Sequence, residues 1–343
     1  MKALVKYQPG DGFVGIREMT IPALEDNQVL IKVYACGICG SDIHILHDEF
    51  PNSPPVIMGH ELSGTVEKVG SSVGDFSSGD RVVTELHTKA CGTCRLCRTG
   101  NQHVCPSKRP LGSQTDGGFA EYVAVPGSLV HKIPDNVDLL DAAMTEPVAI
   151  CVHALLEFGD IRSGDFVVVL GPGPIGLISA WIAGKAGARD TVIAGIGRDE
   201  PVRLKAAREL ALGAVVNVER EDLAEVVSGL TAGNGADVVI EASGAVPAIN
   251  LAVQVVRRQG RIIAIGLTRE EQIAFSWSDA VIKETKLLMP FSSTWTSWEQ
   301  ALGLLSRGDI QPKTLISTRP LEEWREAFDD AENARVIKTL LVM

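Results

Sequence analysis

Phe166-Val167-Val168-Val169-Leu170-Gly171-Pro172-Gly173-Pro174-Ile175-Gly176 joins an unbroken apolar run to a turn of glycines and prolines, and the turn opens a helical stretch near Ile175. Each glycine has a mechanical use: Gly171 for a tight turn, Gly173 for backbone approach to a pyrophosphate, Gly176 for close packing of helix on strand. The helix N-terminus then faces the phosphates. Alone, a G-x-G-x-x-G is a weak signal that also fits an ordinary glycine-rich turn. Its surroundings decide, because five more strand-like runs follow at Thr191–Gly195, Ala214–Asn217, Asp237–Glu241, Arg261–Gly266 and Lys286–Pro290, with helical text between them. That alternation predicts an α/β region built on a doubly wound, parallel, six-stranded sheet. The uncharged run from Phe166 to Gly184 is nearly long enough for a membrane span, but its central glycines and prolines make it strand, turn and helix.

An acidic residue that reads the adenine ribose is expected about twenty residues past the glycines. Here the second strand ends in Gly195-Ile196-Gly197-Arg198-Asp199-Glu200. No carboxylate closes the strand itself. Arg198 suits a 2′-phosphate, Asp199 or Glu200 suits a 2′-hydroxyl, and a solvated loop charge is the plain alternative for Arg198. A dinucleotide is expected, NAD first and NADP also open.

Residues 1 to about 150 read differently, as short alternating runs punctuated by glycine and proline, such as Val29–Tyr34 and Gly118–Pro126. Inside this β-rich half stand Cys39-Gly40-Ser41-Asp42-Ile43-His44 and Gly59-His60-Glu61. Thiolate with imidazole favours zinc, and a catalytic zinc takes three protein ligands and keeps a fourth position open. Cys39 and His60 are the firm ligands; Glu61 or the distant Glu146, in Thr145-Glu146-Pro147, completes the set or acts from beside it. A buried cysteine and a satisfied core histidine would be the bland reading. Cys36 and Cys39 also make a C-x-x-C pair, but Gly37 and Gly40 are poor material for the helix a redox motif opens.

Cys91-Gly92-Thr93-Cys94-Arg95-Leu96-Cys97 with Cys105 gives C-x-x-C-x-x-C-x7-C, four thiolates able to close a tetrahedral zinc site that leaves no open position and so holds a lobe together. An iron–sulfur cluster uses similar ligands, yet the seven-residue gap departs from its spacing.

At 343 residues two domains are expected, and 45% hydrophobic with 22% charged residues is ordinary for a globular chain. A net charge of −11 gives no footprint for nucleic acid or an anionic membrane, so the partner is a small molecule. Met1-Lys2-Ala3-Leu4-Val5-Lys6-Tyr7 is too short and charged for a signal peptide, and seven cysteines without a disulfide framework suggest metal-held thiolates in the cytoplasm.

Over essentially its whole length the chain resembles the zinc-dependent medium-chain alcohol dehydrogenases, most of all the branch with sorbitol, polyol-phosphate and threonine dehydrogenases. Gly37–His44, Gly59-His60-Glu61, the four-cysteine lobe, Glu146-Pro147 and the Gly171–Gly176 turn carry the likeness. The resemblance implies a GroES-like catalytic domain at 1–153 and 292–343, a Rossmann domain at 154–291, and an active site in the cleft between them. It also implies zinc surrounded by Cys39, His60 and one or both of Glu61 and Glu146, a proton route through Ser41 and His44, cofactor contacts that include Pro174, Ile175, Gly266 and Leu267, and a homodimer or homotetramer. Two features depart from the pattern. Met289-Pro290-Phe291-Ser292-Ser293-Thr294-Trp295 lacks the arginine and tyrosine with which sorbitol dehydrogenases grip a polyol, and the second strand lacks its usual aspartate.

The expected reaction is oxidation of a secondary alcohol, a sugar alcohol or its phosphate, with hydride passing to the nicotinamide. L-threonine or butanediol is the alternative substrate. Ser292, Ser293 and Thr294 are candidate hydroxyls for a polyol chain, or plain turn residues. Cys36 and Cys151 are expected to be packing residues. A non-catalytic nucleotide-binding relative is the rival from another class, which loss of Cys39 or His60 would have favoured.

Overall fold

The computed structural model describes residues 1–343. Its backbone contacts divide the chain into two units. One comprises Met1–Ala149, Ser293–Asn333 and Lys338–Met343; the other comprises Ile150–Ser292 and Ala334–Ile337.

The first unit is organised on the strand Gln28–Gly37, in which Ile31 and Val33 are buried while Lys32 and Tyr34 face solvent. Alternation of this kind is what a strand with one core face requires. It pairs antiparallel with Glu61–Val69, Tyr122–Pro126 and Lys338–Val342. The principal sheet order is Val130–Lys132, Arg81–Thr84, Glu61–Val69, Gln28–Gly37, Lys338–Val342 and Ile316–Pro320. Chain segments 300 residues apart in sequence therefore lie in adjacent strands. The core between them holds Leu62, Phe119, Trp324 and Phe328, with Trp324 and Phe328 edge to face at 5.7 Å.

The second unit carries the parallel sheet: β1 (Phe166–Leu170), β2 (Asp190–Gly195), β3 (Ala214–Asn217), β4 (Ala236–Glu241), β5 (Val256–Ala264) and β6 (Lys286–Leu288). Their order is β3-β2-β1-β4-β5-β6, all neighbours parallel. This is the doubly wound Rossmann arrangement. All five residues of β1 are buried, as a central strand covered on both faces must be. The fifth strand departs from its sequence expectation. It starts at Val256 rather than Arg261 because its pairing with β4 shifts after Ala236, and Gln259 takes a φ of 57°. It ends at Ala264, two residues short, where Gly266 instead donates its N–H to the Glu241 carbonyl. No helix is long and apolar enough to cross a membrane; Phe166–Gly184 is β1, a turn and most of α1 (Pro174–Lys185).

Candidate active site and metal centres

Register builds the first metal centre. Gly37, the last residue of its strand, pairs with Glu61, the first of the next, so Cys39 and His60 leave two neighbouring strand ends together. One ligand atom from each of Cys39, His60 and Glu61 lies within 4.8 Å of the others, close enough for one ion. His60 and Glu61 are buried, and Cys39 is partly exposed.

Two further residues that no sequence motif singles out shape this site. Asp42 sits within the quoted motif: its Oδ2 accepts the Cys39 N–H at 2.9 Å and its Oδ1 lies 3.8 Å from His60 Nδ1. Capping the helix Gly40–Leu46, it fixes the turn that carries Cys39, and its Oδ1 faces the His60 imidazole from beyond hydrogen-bond distance. Lys338, on the last strand, is the second. Its Nζ donates to the Ile38 carbonyl at 2.8 Å and to Glu61 Oε1 at 2.6 Å. Nothing in the local sequence marks it, since its partners lie 277 and 300 residues away.

The electrostatics are those of a dry, crowded site. Burial pushes the Glu146 carboxyl up to about 7, with His60 opposing and Glu61 adding to the rise. Burial would lower His60, yet Asp42, Cys39 and Glu146 outweigh it and hold the imidazole well above its ordinary value. Glu146 is in the first turn of the helix Thr145–Val152 and is itself buried. Ser41 and His44 lie on the Gly40–Leu46 helix, and His44 Nδ1 is 3.0 Å from Glu49 Oε2.

The four-cysteine lobe is brought together as its spacing requires. Sulfur separations of 3.9 Å for Cys91 and Cys97, 3.7 Å for Cys91 and Cys105, and 4.0 Å for Cys94 and Cys105 match the ~3.8 Å edge of a tetrahedron with ~2.3 Å zinc–sulfur bonds. Backbone N–H groups of Cys94 and Thr93 draw the Cys91 thiol down to about 6, toward the thiolate a metal needs.

The glycine-rich turn fits a pyrophosphate on its own geometry. Gly171 has a φ of +98°, a conformation that favours glycine. At Gly176 an added Cβ would strike the Gly171 carbonyl oxygen, whereas at Gly173, which caps α1 ahead of Pro174 and Ile175, it would meet nothing, so one face of the turn is open. Gly266 and the exposed Leu267 follow β5 and touch the Glu241–Gly244 bend at the end of β4. Arg198 is exposed at the end of β2. Cys36 and Cys151 are both fully buried.

Of the candidate polyol hydroxyls, two are committed elsewhere. Ser293 accepts the Trp298 indole N–H at 3.0 Å, and Thr294 caps the helix Trp295–Ser306 through the Ser297 N–H. Ser292 Oγ alone has no partner.

These centres and this sheet define a zinc-type dehydrogenase, and the comparisons agree. The alcohol dehydrogenase GroES-like domain family matches residues 25–135, and the zinc-binding dehydrogenase family matches residues 174–307. The chain belongs to the zinc-dependent medium-chain alcohol dehydrogenases. It is 40% identical over 342 residues to a sorbitol dehydrogenase of Halalkalibacterium halodurans, covering 99% of each chain. It is 37% identical over 343 residues to the D-arabitol-phosphate dehydrogenase of Enterococcus avium, covering 99% of this chain and 97% of that one. A zinc-binding dehydrogenase of Sinorhizobium meliloti 1021, solved bound to NADP, superposes with a TM-score of 0.91 at 32% identity, over 100% of this chain and 99% of the other.

Proposed function

We propose that the protein oxidises a secondary hydroxyl of a sugar alcohol, or of its phosphate, to the ketone, with hydride passing to NAD(P)+. One observation carries this reading: the Cys39, His60 and Glu61 cluster has a second buried carboxylate, Glu146, beside it. Zinc bound there would polarise the alcohol oxygen and ease loss of its proton, and the dinucleotide would accept the hydride. Cys39, His60 and Glu61 hold the metal in this scheme. Glu146, the buried carboxyl beside the cluster, holds a hydrogen bond to the reacting hydroxyl. Ser41 passes the proton to His44, which Glu49 orients through Nδ1 so that Nε2 is the acceptor. Cys91, Cys94, Cys97 and Cys105 hold the second, structural zinc. Gly171, Gly173, Pro174, Ile175 and Gly176 seat the pyrophosphate, with Gly266, Leu267 and Arg198 at the rim. The catalytic domain is taken as 1–153 with 292–343, and the cofactor domain as 154–291.

The likeness to sorbitol and arabitol-phosphate dehydrogenases supports a polyol over a simple alcohol. The decisive experiment incubates the zinc-loaded protein with NAD+ and a polyol and identifies the product. A ketose formed in step with reduced nicotinamide supports the assignment. Oxidation of L-threonine to the exclusion of polyols would replace it.

We also propose a self-association through the same sheet. β6 is an edge strand, and Trp277, Val281, Ile282, Leu287, Met289 and Phe291 near it are exposed. An open edge beside apolar side chains suits a second copy of the chain, paired edge to edge about a two-fold axis. A homodimer, or a homotetramer built from it, is expected by light scattering, and a monomer would oppose it. A cytoplasmic home is also expected, since all seven cysteines are free of disulfides.

A further inference from the structure

The end of β2 is crowded with acids, and the hydrogen bonds sort them. Asp199 is buried and turned inward, accepting the Ile196 N–H at 3.2 Å and facing Arg203 at 3.4 Å. Glu200 is held by Arg208 at 2.7 Å and Asn217 at 3.3 Å. Neither acid after the strand is left to meet a ribose. Glu219, two residues past β3, instead reaches across to the neighbouring strand end, where its Oε2 accepts the Gly197 N–H at 2.8 Å. That tip adjoins the phosphate turn, because an added Cβ at Gly195 would lie 2.7 Å from Pro172 Cγ. A Cβ at Gly197 would stand 2.5 Å from Glu219 Oε2, so a larger residue there would push the carboxylate aside.

We propose that Glu219, delivered from β3, is the ribose-reading carboxylate that β2 lacks, and that it sets the choice between NAD and NADP. A carboxylate bonded through one oxygen keeps the other to accept a ribose 2′-hydroxyl. The same group repels a 2′-phosphate brought to the same place. Arg198, exposed and next in sequence to Gly197, is the group a 2′-phosphate would meet if the carboxylate were neutralised. The arrangement thus favours NAD while leaving NADP a weak route. Conversion to NADP use needs one neutralising change rather than a rebuilt loop.

This inference rests on the dinucleotide reading above, and equilibrium binding separates the two. NADH and NADPH are titrated into the zinc-loaded protein, with nicotinamide fluorescence reporting the dissociation constants of wild type, Glu219→Gln, and Glu219→Gln with Arg198→Ala. Wild type should bind NADH the more tightly. Glu219→Gln should strengthen NADPH about tenfold and weaken NADH severalfold, the scale of one charge-assisted hydrogen bond. Adding Arg198→Ala should remove the NADPH gain. A wild type that binds neither nucleotide overturns the cofactor assignment itself. A wild type that binds NADH normally, with a Glu219→Gln ratio unchanged within about twofold, overturns only the role of Glu219.

Discussion

Lys338 Nζ lies 2.6 Å from Glu61 Oε1, deep in the first unit, and both side chains are nearly inaccessible to solvent. The pair joins the final strand to the strand end that carries His60 and Glu61. Gly37 makes the space for it, since a Cβ there would overlap Glu61 Oε2 and approach Lys338 Cε at 3.0 Å. Burying two charges is unfavourable unless each is met, and here the ammonium has a carboxylate and the Ile38 carbonyl.

Removal of one partner therefore leaves a buried charge. Lys338→Met should destabilise the metal-free protein by roughly 3 kcal/mol. The double variant Lys338→Met with Glu61→Gln should lose less than the sum of the two single changes. Urea unfolding of the four proteins measures the coupling, and strict additivity would remove the pair from the account.

His131 gives a pH-dependent test. Its Nε2 is 3.1 Å from Glu85 Oε1, its Nδ1 is 2.7 Å from Glu299 Oε1, and its ring stacks on Trp298 at 5.7 Å. Burial works against the imidazolium, but the two carboxylates raise it above its ordinary 6.5. Burial likewise opposes ionised Glu85, and hydrogen bonds from His131 and His87 lower it below 4.5. The histidine's contribution is complete below 6.5 and lost as pH rises through its raised value. That of Glu85 is complete above 4.5 and lost as pH falls through its lowered value. His131→Gln should thus cost roughly 2 kcal/mol between those limits and much less at alkaline pH, in thermal unfolding followed by circular dichroism. A pH-independent loss would show that the charge is not involved.

The two metal centres should separate by mutation. Elemental analysis should find two zinc ions per chain in the wild type. Cys97→Ser should lose one and unfold more easily, because a site closed by four thiolates is part of the folding free energy. Cys39→Ser should stay folded and lose turnover. Full activity in Cys39→Ser would move the chemistry elsewhere.

At the cofactor, Arg198→Ala should lower kcat/KM for NADP+ more than for NAD+. Equal losses with both would show that Arg198 does not meet the 2′-phosphate.

The parts of the fold written in local sequence were legible: β1 with its turn, the alternation of strand and helix, and the cysteine spacing. Cys39, His60 and Glu61 were legible as candidate ligands because short motifs carry them, although only register shows why they meet. The rest depended on long-range contact. Lys338 has no motif, Glu219 works from a strand other than the one where a ribose reader is sought, and the shift in β5 follows from pairing with β4. Ser293 and Thr294, plausible as substrate hydroxyls in a serine-rich turn, are drawn off by Trp298 and a helix start that the string of letters does not display.

The central claim is polyol oxidation at the Cys39 centre, and one measurement bears on it most directly. It is kcat/KM with NAD+ for sorbitol, xylitol, arabitol, arabitol phosphate, galactitol, butanediol, threonine and ethanol, read as formation of reduced nicotinamide by wild type and Cys39→Ser. A polyol or polyol phosphate should head the panel, and Cys39→Ser should turn over none of them. Efficient ethanol oxidation without polyol activity would contradict the account.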